Sequence, residues 1–259
     1  MDSIQNFPYS SHFSRYRMSP WSRYLHDQLN SRFLKKIAKL TQVKAPEFYG
    51  NKDVLEVGPG LGRLYRAIRP YKPSYTACEP SRVFYEYCVR HFSNDVNFRI
   101  KNHTLENFSQ STKETFDLIF FVHVLEHAKN SYQALEWLGM LNTLLKNDGI
   151  LIIKGPHFPS YRWRFFDIDW SHNFVTTRAN VAEVCKEAGF EIIHSSLVSG
   201  IGGGSRILNV FIDFLRRCLP ESLLNEFLFV LTKRDNAASD IITATARLDY
   251  LIVARSKRR

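Results

Sequence analysis

The stretch VLEVGPGLG, residues 54–62, decides the architecture. An apolar, β-branched run ends in three glycines at alternate positions, Gly58, Gly60 and Gly62, and a helical pattern follows at Leu64–Arg69. Glycines between a strand and a helix permit positive φ and put no Cβ between the backbone and a ligand. A loop of this kind lies outside the carboxyl end of its strand, where open α/β sheets take their ligands.

The same rhythm continues outward. Ser74–Glu79 (SYTACE) and Val96–Lys101 (VNFRIK) read as strands two and three, with a helix at Arg82–His91 between them. Phe116–Val122 (FDLIFFV) is continuous and aromatic-rich, as a strand buried on both faces should be. Apolar positions from Ala134 to Leu145 form a helical stripe within Tyr132–Leu145. Asn147-Asp148-Gly149 then makes a turn into a fifth strand, Ile150–Ile153, and Arg178–Ala188 is a helix stopped by Gly189. Strands alternating with helices at this spacing predict βαβ units and a largely parallel sheet.

Composition excludes several classes. At 259 residues and 44% hydrophobic content, with 12 Gly and 10 Pro, the chain is neither fibrous nor low in complexity. No apolar run reaches the roughly 18–20 residues of a membrane-spanning helix. The opening MDSIQNFPYSSH lacks a basic-then-apolar leader pattern, so the expected compartment is cytoplasmic. Cys78, Cys88, Cys185 and Cys218 have neither zinc-ligand nor disulfide-framework spacing and read as reduced, mostly buried thiols. The net charge of +10 sits at the ends: residues 1–50 carry 8 basic against 3 acidic side chains, and residues 251–259 carry 4 against none. The body is nearly neutral, so the basic ends read as solvated tails before they read as a nucleic-acid footprint.

Glu79 ends the second strand 21 residues after Gly58, where a carboxylate accepts hydrogen bonds from both hydroxyls of a ribose. A tight turn explains any one glycine, and a surface charge explains Glu79. Their conjunction at successive strand ends points to a nucleoside-containing cofactor. A dinucleotide is disfavoured: the third glycine arrives one residue early for G-x-G-x-x-G, and Arg63 occupies its place. Glu56 also sets a negative charge beside the loop, which suits an amino or sulfonium cation better than a pyrophosphate.

With these residues in view, the chain resembles the class I S-adenosylmethionine-dependent methyltransferase family. The resemblance rests on VLEVGPGLG (54–62), CEPS (78–81), NHTLENF (102–108), FDLIFFVHVLEH (116–127), LLKNDGILII (144–153) and DYLIVARSK (249–257), in the family's order and spacing. It implies a Rossmann-like α/β fold, a seven-stranded mostly parallel sheet with helices on both faces and an antiparallel last strand. It implies S-adenosyl-L-methionine as cofactor, with Glu56, Gly58, Gly60 and Gly62 around the methionine part and Glu79 on the ribose. Thr104 and Leu105 would flank the adenine, with His103 where the family carries an acid, and Val122 and His123 would lie beneath the cofactor. The expected organisation is a single domain over 1–259. It has an N-terminal helical cap or lid (1–45), a cofactor-binding core (46–197), an apolar helical insertion opened by SGIGGGS (198–242), and a last strand with a basic tail (243–259).

Methyl transfer to a hydroxyl needs alignment and a proton acceptor, and histidine is the natural base near neutral pH. His123, His127 and His157 stand at strand ends, and His172 lies in the loop DIDWSH (167–172). His172 is the first choice for the base and His127 the second. His123, Glu126 and His127 have the spacing of one helical face and resemble the E-x-x-E-H metal cluster of quinone-biosynthesis and small-RNA methyltransferases. Because His123 stands where that cluster has an acid, no metal is assigned.

For the acceptor, residues 155–192 resemble a region of methyltransferases from surface-polysaccharide and glycolipid pathways. That favours a sugar-containing or other small hydroxyl acceptor, with Tyr161, Trp163 and Trp170 as flat faces for a sugar ring. Methylation of tRNA or rRNA is the alternative, drawing on the basic ends and on Tyr161-Arg162-Trp163-Arg164. Against it, HVLEH replaces the (N/D)PP(Y/F) signature of exocyclic-amine chemistry. A non-catalytic cofactor-binding protein of the same fold is the remaining reading, and peripheral membrane contact stays open.

Overall fold

The structure, a computed structural model, describes residues 20–199 and 248–256. The expected insertion at 198–242 therefore lies almost wholly outside the described residues, as does the segment before residue 20. Seven strands, β1 (Asp53–Val57), β2 (Ser74–Cys78), β3 (Phe98–Lys101), β4 (Phe116–Val122), β5 (Leu145–Pro156), β6 (Phe190–Ser199) and β7 (Leu248–Ser256), form one sheet. Its order is β3-β2-β1-β4-β5-β7-β6. Strands β1 to β5 pair in parallel, and β7 runs antiparallel between β5 and β6.

Alternation along each strand splits the core into two layers. Leu55, Ile119, Phe121, Leu151, Ile153 and Ile252 face one cluster, and Val54, Leu118, Phe120, Ile150, Ile152 and Val253 face the other. The second layer is covered by α1 (Pro20–Leu40), α2 (Ala45–Tyr49), α3 (Arg63–Ile68) and α4 (Arg82–Phe92). The first layer is covered by α5 (Leu105–Ser111), α6 (Ser131–Leu144) and, after the short turns α7 (Phe158–Tyr161) and α8 (Arg164–Ile168), by α9 (Arg178–Glu187). With both faces buried, strands such as FDLIFFV carry almost no polar residue.

Several boundaries differ from expectation for physical reasons. Val96 is 93% exposed and β3 begins only at Phe98, the first residue of that run to reach the core. Strand β5 begins already at Leu145: Phe116 pairs with Leu145 and Leu118 with Ile150, so Asn147–Gly149 is an excursion within the strand. The loop after β5 contains α7 and α8, which no extended periodicity announced. Gly189 has φ +85°, as its role behind α9 requires.

The chain moves from β1 outward to β3 and then returns to place β4 on the other side of β1. That reversal opens a crevice between the carboxyl ends of β1 and β4. At the opposite edge, Lys146 Nζ bridges Asp53 (2.6 Å) and Asp117 (2.9 Å), and Asp117 accepts the Asp53 amide at 2.8 Å. The sheet is thus tied off at one end and left to the site at the other.

Candidate active site

The loop leaving β1 supplies the first wall. Gly60 has φ +54°, and a Cβ built there would meet nothing within 4 Å, so its exposed backbone borders open space. Gly62 also has positive φ, but for packing: a Cβ there would run into the Phe92 ring. Its carbonyl accepts the Arg66 amide at 3.1 Å, within the first turn of α3. Val124, just past β4, packs against Gly58, which brings the two strand ends together.

Glu79, on the neighbouring strand end, is buried and, among the described residues, bound by backbone donors. Oε2 accepts the Gly60 amide at 3.0 Å and Oε1 the Ser81 amide at 2.9 Å. Asn102 donates to the carbonyls of Glu79 (2.7 Å) and Pro80 (3.2 Å) and so holds the bend. Burial pushes the Glu79 carboxyl up to about 7 against those two hydrogen bonds. Glu56, buried one strand away, is likewise raised to about 7 by burial and by the charge of Glu79, although the Tyr75 hydroxyl donates to it. Two buried carboxylates whose donors among the described residues are amides and a phenol suit a ligand that brings hydroxyls and a positive charge. That is the donor and charge pattern of S-adenosylmethionine.

Thr104 caps α5: its hydroxyl accepts the Asn107 amide at 3.3 Å. Leu105 is buried, and the buried His103 Nδ1 has no partner among the described residues. Val122, half-buried, ends β4 opposite Lys154.

The turn after β4 carries the densest polar cluster. His123 has φ +55°, and Leu125–His127 form a single 3-10 turn. His123, Glu126 and His127 therefore do not share a helical face, because the backbone reverses at His123. The His123 ring keeps an exposed edge and lies 3.4 Å from both Glu126 Oε1 and Asp249 Oδ2. Burial and the Lys154 charge would lower its pKa, but Asp249 and Glu126 outweigh them and raise it to about 9, so His123 is protonated and unsuited to act as a base.

Lys154 Nζ meets Asp249 Oδ2 at 2.8 Å, and Tyr161 donates to Asp249 Oδ1 at 2.8 Å. Burial would raise the Asp249 carboxyl, yet Lys154 and His123 hold it well below the usual range. Lys154 also lies 5.8 Å from the Phe33 ring centroid, so α1 reaches this end of the sheet. Asp27 of α1 meets Arg66 of α3 at 3.0 Å. Tyr161 is thus buried as part of the ion pair and offers no face to an acceptor, contrary to expectation. Trp163 and Trp170 are 79% and 68% exposed and remain available.

His172 lies beside the β4 turn because the amides of Asn173 and Phe174 donate to the Glu126 carbonyl at 3.0 and 3.1 Å. Its Nδ1 contacts the Phe165 carbonyl at 2.6 Å, which assigns the proton to Nδ1 and leaves Nε2 with a lone pair. Burial lowers its pKa, partly opposed by Glu126, so the ring is neutral. Ser171 gives its hydroxyl proton to Asp169 and accepts from His127 Nδ1 at 2.9 Å. The two imidazoles stand 5.0 Å apart, centroid to centroid. His157, the other strand-end histidine, caps α9 by accepting the Arg178 amide at 3.2 Å.

Sequence reasoning brought Glu56, Glu79, the glycines, His127 and His172 to one end of the sheet, where the structure also has them. It missed Lys154 and Asp249, and it gave Tyr161, their third partner, a different role. A lysine inside the apolar run ILIIKG and an aspartate opening DYLIVA were the signals, since a charge in a buried strand needs a partner.

The family model described as a methyltransferase domain matches residues 24–195. No curated protein sequence matches the chain. Among solved structures, a SAM-dependent methyltransferase from Archaeoglobus fulgidus is 16% identical, with 96% of this chain and 100% of that one covered and a TM-score of 0.58. N-methyltransferase NodS from Bradyrhizobium japonicum WM9, in complex with S-adenosyl-L-homocysteine, is 16% identical over 94% of this chain and 91% of its own, with a TM-score of 0.57. A putative sarcosine dimethylglycine methyltransferase from Galdieria sulphuraria is 13% identical over 87% and 84%, with a TM-score of 0.58. At these identities the likeness is one of fold.

Proposed function

The chain belongs to the methyltransferase domain family and is an S-adenosylmethionine-dependent methyltransferase, and from that premise we propose that it methylates a hydroxyl of a small, sugar-containing acceptor. The observation that carries the acceptor class is the neutral His172, whose Nδ1 proton is held by the Phe165 carbonyl and whose Nε2 is free to take a proton. An alcohol is a poor nucleophile until its proton has somewhere to go.

In this reading Glu79 accepts the ribose hydroxyls, the Gly58–Gly62 backbone lies along the methionine part, and Glu56 adds negative charge for the sulfonium and amino groups. Thr104 and Leu105 line the adenine side through their backbone and apolar surface, and Val122 and His123 form the floor. When bound, the cofactor would supply a sulfonium-activated methyl group for the acceptor oxygen, with sulfur as the leaving group that keeps the bonding electron pair. His172 Nε2 takes the hydroxyl proton, and His127, oriented through Ser171 and Asp169, stands second to it. Trp163 and Trp170 offer exposed flat faces on the segment that carries His172, as a sugar ring requires. Among the described residues no helix is long and apolar enough to cross a membrane.

The test is to incubate the protein with methyl-labelled S-adenosylmethionine and an extract of its source, then fractionate the products. Nuclease-resistant label in glycan, lipid or small-molecule pools is the expected result. Label released by nuclease would overturn the acceptor class in favour of RNA.

A further inference from the structure

Glu126, His127 and His172 each offer a ligand atom, and the three atoms lie within 4.8 Å of one another. The set differs from the one the sequence spacing suggested: His123 spends Nδ1 on Glu126 Oε1 and Nε2 on Asp249 and Lys154, and His172 arrives from the loop after β5 as the second imidazole. Glu126 is 1% exposed, and its buried Oε2 has no hydrogen-bond partner among the described residues. The Glu126 carboxylate has His123 Nδ1 beside Oε1 at 3.4 Å, yet its buried Oε2 leaves hydrogen-bonding capacity unused, and the two imidazoles near it have their Nδ1 atoms engaged elsewhere.

The geometry points to a binding site for one divalent first-row transition-metal ion, zinc or a neighbour such as cobalt or manganese, held by Glu126, His127 and His172. Two imidazoles and a carboxylate suit this class better than magnesium or calcium, which take oxygen sets. Bonds of about 2.0–2.2 Å would draw the three ligand atoms to about 3.3 Å apart. Both rings already have the support that metal-binding histidines need. His172 Nδ1 is held by the Phe165 carbonyl and His127 Nδ1 by Ser171, itself fixed by Asp169, so each presents Nε2. Three protein ligands leave coordination positions open. This inference rests on the hydroxyl-acceptor reading for what fills them and changes the part His172 plays there. With the ion bound His172 is a ligand, and a hydroxyl at the open position, acidified by the ion, releases its proton to solvent.

The test is binding, read without turnover. The full-length protein, stripped with a chelator, is titrated with Co²⁺ followed by its visible absorption and with Zn²⁺ by calorimetry. One equivalent is expected, with His127→Gln and His172→Gln each weakening binding about 10–100-fold and His157→Ala leaving it unchanged. The melting-temperature rise with S-adenosylhomocysteine, retained in every variant, certifies their folding. Two results overturn the site: no stoichiometric binding to the wild type, or binding lost in His123→Gln but kept in His172→Gln. Tight binding with only nuclease-sensitive methyl label would keep the site and defeat the hydroxyl-acceptor reading. Nuclease-resistant label without metal binding would do the reverse.

Discussion

The Gly60 amide donates to Glu79 Oε2 across 3.0 Å, which makes the glycine loop and the end of the second strand one binding surface. A substitution at either residue should therefore be felt by the same ligand. Glu79→Ala should weaken S-adenosylhomocysteine binding by about 10–100-fold, since hydrogen bonds to a charged group are worth about 1.5–3 kcal/mol. Calorimetric titration checks this, and an unchanged affinity would remove Glu79 from the site.

Two glycines of the same loop should fail in different ways. Gly60→Ala puts its methyl into open space at the cost of positive φ, about 1–2 kcal/mol, and should chiefly impair cofactor binding. Gly62→Ala drives a Cβ into Phe92 and should lose about 2–5 kcal/mol of stability from overpacking and backbone strain together. Denaturant midpoints with and without S-adenosylhomocysteine separate the two. Equal loss of stability in both variants would contradict this division.

His172→Ala should lower kcat by about 10²–10⁴-fold while cofactor affinity holds. A wild-type rate would move activation of the acceptor to another residue.

Asp249→Asn should destabilise the fold by about 3–5 kcal/mol, because Lys154 and the Tyr161 hydroxyl lose a buried anionic partner. Adding Lys154→Met should recover part of that loss. Chemical denaturation of the single and double variants measures the coupling, and purely additive losses would mean that the pair is not the source.

Burial holds Glu79 at about 7 in the folded protein, above its ordinary 4.5. Between those values the folded state holds the extra proton, so this carboxyl contributes stability at low pH that is lost as pH rises toward and through about 7. The buried His172 works in the opposite sense below its ordinary value, so the comparison must be a difference. The melting temperature of Glu79→Gln minus that of wild type should grow between pH 5 and pH 8. Wild-type cofactor affinity should fall below about pH 7, where the Glu79 and Glu56 carboxylates are both lost, and fall more steeply than that of the variant, in which only Glu56 titrates. A flat difference would deny the buried titration.

The strands that frame the site were readable because their apolar runs are uninterrupted; Phe116–Val122 is the observed β4 to the residue. Glu79 and the glycines were readable because their chemistry is local to a strand end. The cluster around Glu126 was half legible. Spacing implied a helical face, but the positive φ at His123 breaks it, and local periodicity carries no sign of such a reversal. His172 is brought to Glu126 by hydrogen bonds between distant loops, and Asp249 meets Tyr161 and Lys154 from 88 and 95 positions further along the chain. Pairings of that range are set by sheet topology, not by neighbours in the chain.

Strand β7 lies between β5 and β6, yet it is synthesised after both. During translation a slot must stay open in the sheet until residues 248–256 leave the ribosome, and Lys154 waits there without its anion. Insertion of this strand closes the sheet and delivers Asp249 beside the site in one event. A nascent or prematurely terminated chain would thus be kept inactive by its own topology, with two adhesive strand edges on display to chaperones and proteases.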